Sequence, residues 1–348
     1  MSGRVSPIRA PNLPAHLLEA IETPLIPLRH SAMAMSNTRS VSMPSSPVTE
    51  RAPMLQPSKG SPPVKTSLTH PLHVSPLIPP ELLSSLHATF FFSPTLSKPT
   101  WPWVITHASP PIDLQSLLHP PHLVDSKSPK LGNLLLSSCP GKKVRLTGPL
   151  PVGGRTGICR DLRTDLERYA TTYSVKTIIN CLDDEELALL GAPWREYEVN
   201  CKELGMEVIR FPMMEGYPPD CVEKMDEVLE KVLANQTLRG ENVLVHCRGG
   251  VGRAGLVGVC WMLKMGLLGD LPAPDDAEGA LDLVATCVQI VRKRRRYVRS
   301  RFAADSRSRY LSSAKSIETA IQVRFILHYI LHLASQATST TARDLVPA

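Results

Sequence analysis

Cys247 and Arg253 stand six residues apart, with Arg248-Gly249-Gly250-Val251-Gly252 between them. Three glycines in four positions let this segment curl so that successive backbone N–H groups point inward, and a helix behind it adds the positive end of its dipole. Such a loop is a cradle for an anion. A cysteine at its base has its thiolate stabilised by the same amides, which makes Cys247 a candidate nucleophile at neutral pH. Arg253, where the helix begins, can aim its planar fork at two oxygens of one phosphate. The candidate phosphate-binding set is therefore Arg248, Gly249, Gly250, Val251, Gly252 and Arg253. A thiolate displaces an alkoxide or phenoxide from phosphorus only if the leaving oxygen is protonated, which calls for a carboxylic acid on a neighbouring loop. Glu215 and Asp220 are the two candidates.

These residues need a scaffold that brings separate loops to one place. Val243-Leu244-Val245 reads as a buried strand running into the cradle, and Ala254 to Val259, apolar on all sides, as a buried helix leaving it. Upstream, Leu134 to Gly141 opens the ordered part. Asp161 to Tyr169 carries acids first and bases last, as a helix does. Val175 to Leu182 is a second buried strand, followed by helical spacing over Glu185 to Leu190 and Trp194 to Leu204. Glu207 to Phe211 is a third strand; it enters the loop Pro212 to Pro219, and a helix is expected from Asp220 to Leu233. Further helices are expected over Ala277 to Arg294 and Ser313 to Leu333. Strands alternating with helices predict an α/β fold with a mostly parallel central sheet flanked by helices. Ligands of such sheets sit beyond the carboxyl ends of the strands, where both the Pro212 loop and the Cys247 loop emerge.

The 348 residues divide unevenly. About two thirds of the 33 prolines precede residue 130, interleaved with serines and without a cysteine, so residues 1–129 are expected to be a disordered Pro/Ser-rich arm. Residues 130–334 form the expected single domain, and 335–348 a disordered tail. Within the arm, Trp101 to Ile105 is apolar enough to act as a strap. Ser46, Ser61, Ser75, Ser93 and Ser128 each precede a proline and are candidate targets of proline-directed kinases. The eight cysteines include no CxxC pair and no histidine cluster, which argues against zinc or a disulfide framework and for a reducing compartment, cytosol or nucleus. No run of 18 apolar residues is present, so no membrane span is expected. The net charge of +7 is concentrated between Arg292 and Arg309, a stretch without enough interleaved aromatics to indicate nucleic-acid binding. Oligomeric state is left open.

His246-Cys247-x5-Arg253 with Gly250 inside it resembles the signature of the cysteine-dependent tyrosine and dual-specificity protein phosphatases. The resemblance implies a protein tyrosine phosphatase-like fold, hydrolysis of phosphotyrosine and phosphoserine or phosphothreonine through a phosphocysteine, and a phosphoprotein substrate. It extends over about 200 residues and is nearest to the cyclin-dependent kinase-associated phosphatases, which implies such a kinase as a substrate type. In that subgroup an acid follows a strand-Pro-x-x pattern and precedes Gly. Pro212-Met213-Met214-Glu215-Gly216 matches, with Glu in place of Asp, and this favours Glu215 over Asp220. By the same resemblance His246 hydrogen-bonds the loop and tunes the cysteine, and Gln322 is a supporting residue in the last helix.

Ala254 stands where the family has a Ser or Thr whose hydroxyl helps the thiolate depart, so turnover is expected to be slow. No counterpart of the long tyrosine-recognition loop is visible, which implies a shallow, dual-specificity pocket. Lipid phosphatases of the superfamily tend to carry two lysines in the loop; Arg248 alone and Val251 disfavour a phosphoinositide. Nucleophile, cradle and acid all come from the chain, so no metal or organic cofactor is expected. Two other readings use the same cradle. One is a phosphoprotein-binding adaptor without turnover, motivated by Glu215 and Ala254; the other is sulfur transfer, which would not need an acid loop.

Overall fold

A computed structural model of the chain describes residues 64–78, 83, 131–146, 156–268, 271–273, 275–288, 317 and 319–344. The scaffold of the site is a five-stranded sheet. Its order is β1 (Ser75–Pro76), β2 (Leu134–Ser138), β7 (Asn242–Cys247), β5 (Val175–Asn180) and β6 (Glu207–Arg210). The last four are mutually parallel, and β1 is an antiparallel edge. A separate hairpin pairs β3 (Lys143–Val144) with β4 (Ile158–Cys159). Near-continuous apolar runs such as Val243-Leu244-Val245 and Ile178-Ile179 are what strands need when both faces are covered.

Helices supply that cover. On one face α1 (Leu162–Thr172), α2 (Asp184–Leu189) and α3 (Trp194–Glu203) pack against β5, β6 and each other; on the other, α4 (Val222–Asn235), α5 (Arg253–Lys264) and α7 (Ala320–Asp344) form a layer, with α5 lying on β2 and β7. Residues 277–288 add α6. The α4–α5–α7 layer is locked by one buried acid: Asp226 of α4 accepts from Lys264 Nζ of α5 and, at 2.8 Å, from Tyr329 Oη of α7. The α/β sandwich with a mostly parallel sheet is as expected, and each expected strand in the domain forms.

Boundaries shift for local reasons. β5 ends at Asn180, because the Asn180 Oδ1 takes the Leu182 N–H at 2.9 Å and turns the chain. Asp161 and Asp183 cap α1 and α2 by accepting from Thr164 N and Glu186 N, each at 2.7 Å, so both helices start one residue after their cap. The last helix begins at Ala320 rather than Ser313, with Thr319 Oγ1 accepting from Gln322 N at 3.3 Å, and it runs to Asp344, through residues 335–344 of the expected tail. The expected Ala277 to Arg294 helix is helical over 277–288; its remainder, the basic stretch to Arg309, Trp101 to Ile105, and Ser46, Ser61, Ser93 and Ser128 lie outside the described residues.

The arm is where the expectation of disorder needs correction. Residues 64–78 are part of the fold: Ser75 and Pro76 pair with Leu136 and Leu135, and Leu77 N donates to Leu134 O at 2.9 Å. Proline is tolerated there because the strand is an edge. Asn133 then holds Ile78 by both backbone groups, accepting from its N–H at 3.1 Å and donating to its carbonyl at 2.7 Å. Leu72, Val74, Leu77 and Ile78 are buried in the main core. Ser75 is 1% exposed and committed to β1, so it is not available to a kinase in the folded protein. Among the described residues no helix is long and apolar enough to cross a membrane.

Leu77 sits over α5, where a Cβ at Gly258 would come within 3.0 Å of Leu77 Cδ1. Replacing Leu77 with Ala removes that buried contact and should cost about 2–5 kcal/mol of stability in urea unfolding. A change below about 0.5 kcal/mol would show that residues 64–78 do not belong to the cooperative unit.

Candidate active site

β7 delivers Cys247 level with Ser138 of β2, and the chain turns immediately afterwards. The turn lies down on β2. At Gly250, φ is 66° and a Cβ would stand 2.2 Å from the Ser137 carbonyl oxygen, so glycine is required both by the backbone conformation and by the close approach. The Gly250 N–H donates to Cys247 Sγ at 3.2 Å. Cys247 is buried while Arg248 and Gly249 are exposed, which places the sulfur at the floor of the loop. α5 starts at Arg253 without a side-chain cap, so its positive end faces the loop. Two further cysteines lie in this neighbourhood, and burial pushes the Cys139 thiol up to about 12 and the Cys181 thiol well above its usual range.

Arg253 is 3% exposed and engaged along one end of its guanidinium. Its Nη1 and Nη2 form a two-pronged pair with the Glu186 carboxylate, at 2.5 and 2.8 Å, and Nη1 also donates to Met213 O at 2.6 Å. Burial works against the cation, but Glu186 outweighs it and holds the arginine pKa above its ordinary value. Glu186 occupies the end of the guanidinium. The side edge made by Nε and the second Nη2 hydrogen takes no partner among the described residues, and that edge has the spacing of two oxygens on a tetrahedral anion.

His246 behaves differently from its expected role. Its Nε2 lies 2.9 Å from the Tyr197 hydroxyl of α3, and its ring stacks on Tyr197, so the side chain ties the strand to a helix rather than bonding the loop. Burial, with the nearby Arg253 charge, pushes its pKa down to about 3. The imidazole is neutral at physiological pH.

The structure sets Glu215 and Asp220 apart. Glu215 lies on the loop after β6 and pairs with Arg248 Nη1 at 3.1 Å, directly across the cradle mouth. Asp220 is 84% exposed and pairs with Lys224 one turn into α4. The acid loop is tied to the start of α7 by Thr319 Oγ1, which donates to Gly216 O at 2.7 Å. Gln322, one turn on, is fully buried. Sequence reasoning passed over Glu186, Tyr197 and Lys142. Lys142 Nζ donates to Arg248 O at 2.9 Å and so stands on the loop's rim. Its only signal is its place directly after Pro140-Gly141, the turn that follows a strand. Glu186 was visible only as one of four consecutive acids opening a helix.

Sheet, cradle and acid loop define the protein tyrosine phosphatase class of fold. Residues 163–320 match the family model described as PTP-SAK, Swiss Army Knife protein, DSP-PTPase phosphatase domain. This segment is therefore similar to phosphatase domains of the dual-specificity class. Solved structures with similar folds include a kinase associated phosphatase (KAP) whose catalytic-site cysteine is replaced by serine, at 19% identity over 58% of this chain and 88% of that one, TM-score 0.41. The active form of Tk-PTP is 23% identical over 53% and 93%, TM-score 0.34. PTPMT1 in complex with PI(5)P is 15% identical over 59% and 94%, TM-score 0.36. No curated protein sequence is significantly similar.

Two outcomes follow from the buried charges. Glu186→Gln leaves the Arg253 cation without its counter-charge and should lower stability by about 3–5 kcal/mol, with kcat/KM toward an aryl phosphate falling more than tenfold; a variant as stable as the parent would refute the pairing. His246 titrates near 3 when folded and near 6.5 when unfolded, so below pH 6.5 the unfolded chain takes up a proton that the native chain refuses. Stability should therefore fall as pH drops from about 6.5, by at most about 1.4 kcal/mol per pH unit from this group. In His246→Asn the decline between pH 6.5 and 5 should be shallower, as read by urea midpoints; an identical slope would contradict the assignment.

Proposed function

We propose that this chain hydrolyses phosphotyrosine and phosphoserine or phosphothreonine on proteins through a phosphocysteine on Cys247. The observation that carries the reading is the pairing of the Cys247 sulfur beneath the Gly250 N–H with an arginine whose phosphate-facing edge is held open by Glu186. Cys247 attacks phosphorus, a P–S bond forms and the P–O bond to the leaving group breaks. Glu215 gives its proton to the departing oxygen, then takes one from the water that attacks the phosphocysteine; the P–S bond breaks, the Cys247 thiolate is restored and inorganic phosphate leaves. Position favours Glu215 over Asp220 for this role, because Glu215 lies within reach of Arg248 on the loop whereas Asp220 pairs with Lys224 on α4. The resemblance to kinase-associated phosphatases extends the proposal to phosphothreonine on a cyclin-dependent kinase. Eight free cysteines, one of them the nucleophile, fit a reducing compartment such as cytosol or nucleus.

A second reading is kept by Ala254, which is fully buried at the second position of α5 and offers no hydroxyl to the departing thiolate. In that reading the cradle holds a phosphoprotein and releases it slowly or intact.

Purified full-length protein should hydrolyse a phosphopeptide and an aryl phosphate with a burst equal to the enzyme concentration, followed by a slower steady rate. Cys247→Ser should abolish both phases, and equal signals from the two proteins would sink the enzyme reading. Glu215→Gln should slow the burst on alkyl phosphates by about 10²-fold or more, and Asp220→Asn should slow it less. Ala254→Ser should raise the steady rate by roughly ten- to hundredfold; an unchanged rate with the fold intact would mean that thiolate release is not limiting.

A further inference from the structure

The glycines that let the cradle curl also specify it loosely. Gly249 and Gly250 follow Arg248 directly, and a Cβ at Gly249 would meet only Val251 Cγ2, at 3.9 Å, so the surroundings restrict the backbone there very little. Which way the peptide between Arg248 and Gly249 faces is decisive for an anion. A trans peptide points its C=O and N–H in opposite directions, and an inward N–H attracts a phosphoryl oxygen where an inward carbonyl repels it. The next peptide is fixed by its own contacts, with the Gly250 N–H on Cys247 Sγ and the Gly250 backbone pressed on the Ser137 carbonyl. The peptide before it is held from outside the loop.

The hold comes from Lys142, whose Nζ donates to the Arg248 carbonyl at 2.9 Å across 106 positions of sequence. Its root is rigid. Gly141 N donates to Asp165 Oδ2 at 3.0 Å, Lys142 O accepts from Arg160 N at 3.1 Å, and Lys143 N donates to Leu190 O at 2.7 Å. Asp165 belongs to α1 and is itself gripped by Arg160 through Nε and Nη2, and Leu190 ends α2. Three consecutive backbones are thus tied to the helical layer, and the half-buried lysine side chain reaches the loop from a fixed origin. With the Arg248 carbonyl turned to Lys142, the Gly249 N–H points away from it.

We propose that Lys142 is a positioning residue for the phosphate loop: by holding the Arg248 carbonyl outward it turns the Gly249 N–H toward the phosphoryl group bound over Cys247. The proposal rests on the reading of Cys247 as the nucleophile of a phosphatase, and it adds to that machinery a residue from another part of the chain. Lys142 touches no substrate in this role. A cation acting through its charge alone would favour any nearby anion and fade with salt, whereas a strut acts on one particular amide.

The test uses the full chain labelled with nitrogen-15 and inorganic phosphate as the probe, read by amide resonances, alongside kinetics on an aryl phosphate. In the parent, phosphate should shift the Gly249 and Gly250 amides together. Lys142→Met keeps the aliphatic stem and removes the donor; there phosphate should still shift Gly250 while the Gly249 response is lost. In the same variant kcat should fall by about tenfold or more, as when one preorganised amide is withdrawn from a transition state, and the fall should persist at high salt. Lys142→Arg keeps a charged donor and should restore the Gly249 response, with kcat within about threefold of the parent. Amides far from the loop report in the same spectra that each variant is folded. A Gly249 response in Lys142→Met equal to the parent's overturns the proposal even if affinity drops, because charge alone then accounts for the drop; an unchanged kcat in an active enzyme overturns it too. If the parent hydrolyses nothing while the Gly249 response still depends on Lys142, the phosphatase reading fails and the strut stands. If the parent turns over and Lys142→Met matches it in both readouts, the strut fails and the phosphatase reading stands.

Discussion

A guanidinium that is 3% exposed imposes the strictest condition in this molecule. A buried cation is tolerated only when its charge and most of its hydrogens are answered, and Arg253 is answered from two other elements at once. Glu186 comes from α2, and the Met213 carbonyl from the acid loop. The cation therefore acts as a joint, and the phosphate loop, α2 and the acid loop can close round it in only one way. The geometry that keeps the arginine in the protein also decides which edge of it remains for a ligand. Stability and binding competence are set by the same pair of oxygens.

The second constraint is steric. Gly250 presses on the Ser137 carbonyl, so the loop's depth is referenced to β2, while Cys247 is referenced to β7. Because β2 and β7 are neighbours in register, sulfur and loop amide are placed by one ladder. His246, on the same strand, points the other way into the helical layer and holds α3 through Tyr197. Alternate residues of one strand thus serve the site and the packing behind it, as the period of a strand allows.

Legibility in the sequence followed the range of the interaction. The strand, the glycine loop and the apolar helix are contiguous, and their pattern alone puts Cys247 at the end of a strand and Arg253 at the start of a helix. α2 was legible as a helix because its acids suit a helix start, and for that very reason Glu186 looked like dipole compensation rather than the partner of an arginine 67 residues away. The order of residues 64–78 is hidden on similar grounds. Pro and Ser between short apolar clusters read locally as disorder, whereas β1 owes its order to β2, Asn133 and α5, none of which is near it in the chain. His246 was assigned a loop bond by resemblance, and its real partner, Tyr197, is 49 residues away on α3.

The arm also reaches the active-site rim, by a path of buried polar contacts. Arg160 donates through Nη1 to the His70 carbonyl of the arm at 2.6 Å, and grips Asp165 with Nε and Nη2, both at 2.7 Å. Asp165 Oδ2 in turn accepts from Gly141 N at 3.0 Å, and Lys142 is the next residue. Arg160 and Asp165 are 5% and 1% exposed, so neither can be left half-paired without a cost of several kcal/mol. Docking of residues 64–78 and the placing of the β2 turn are consequently not independent. A segment that by composition resembles a tether is part of what positions Lys142 beside the Arg248 carbonyl, and that contact depends on chain that a domain boundary drawn at residue 130 leaves out.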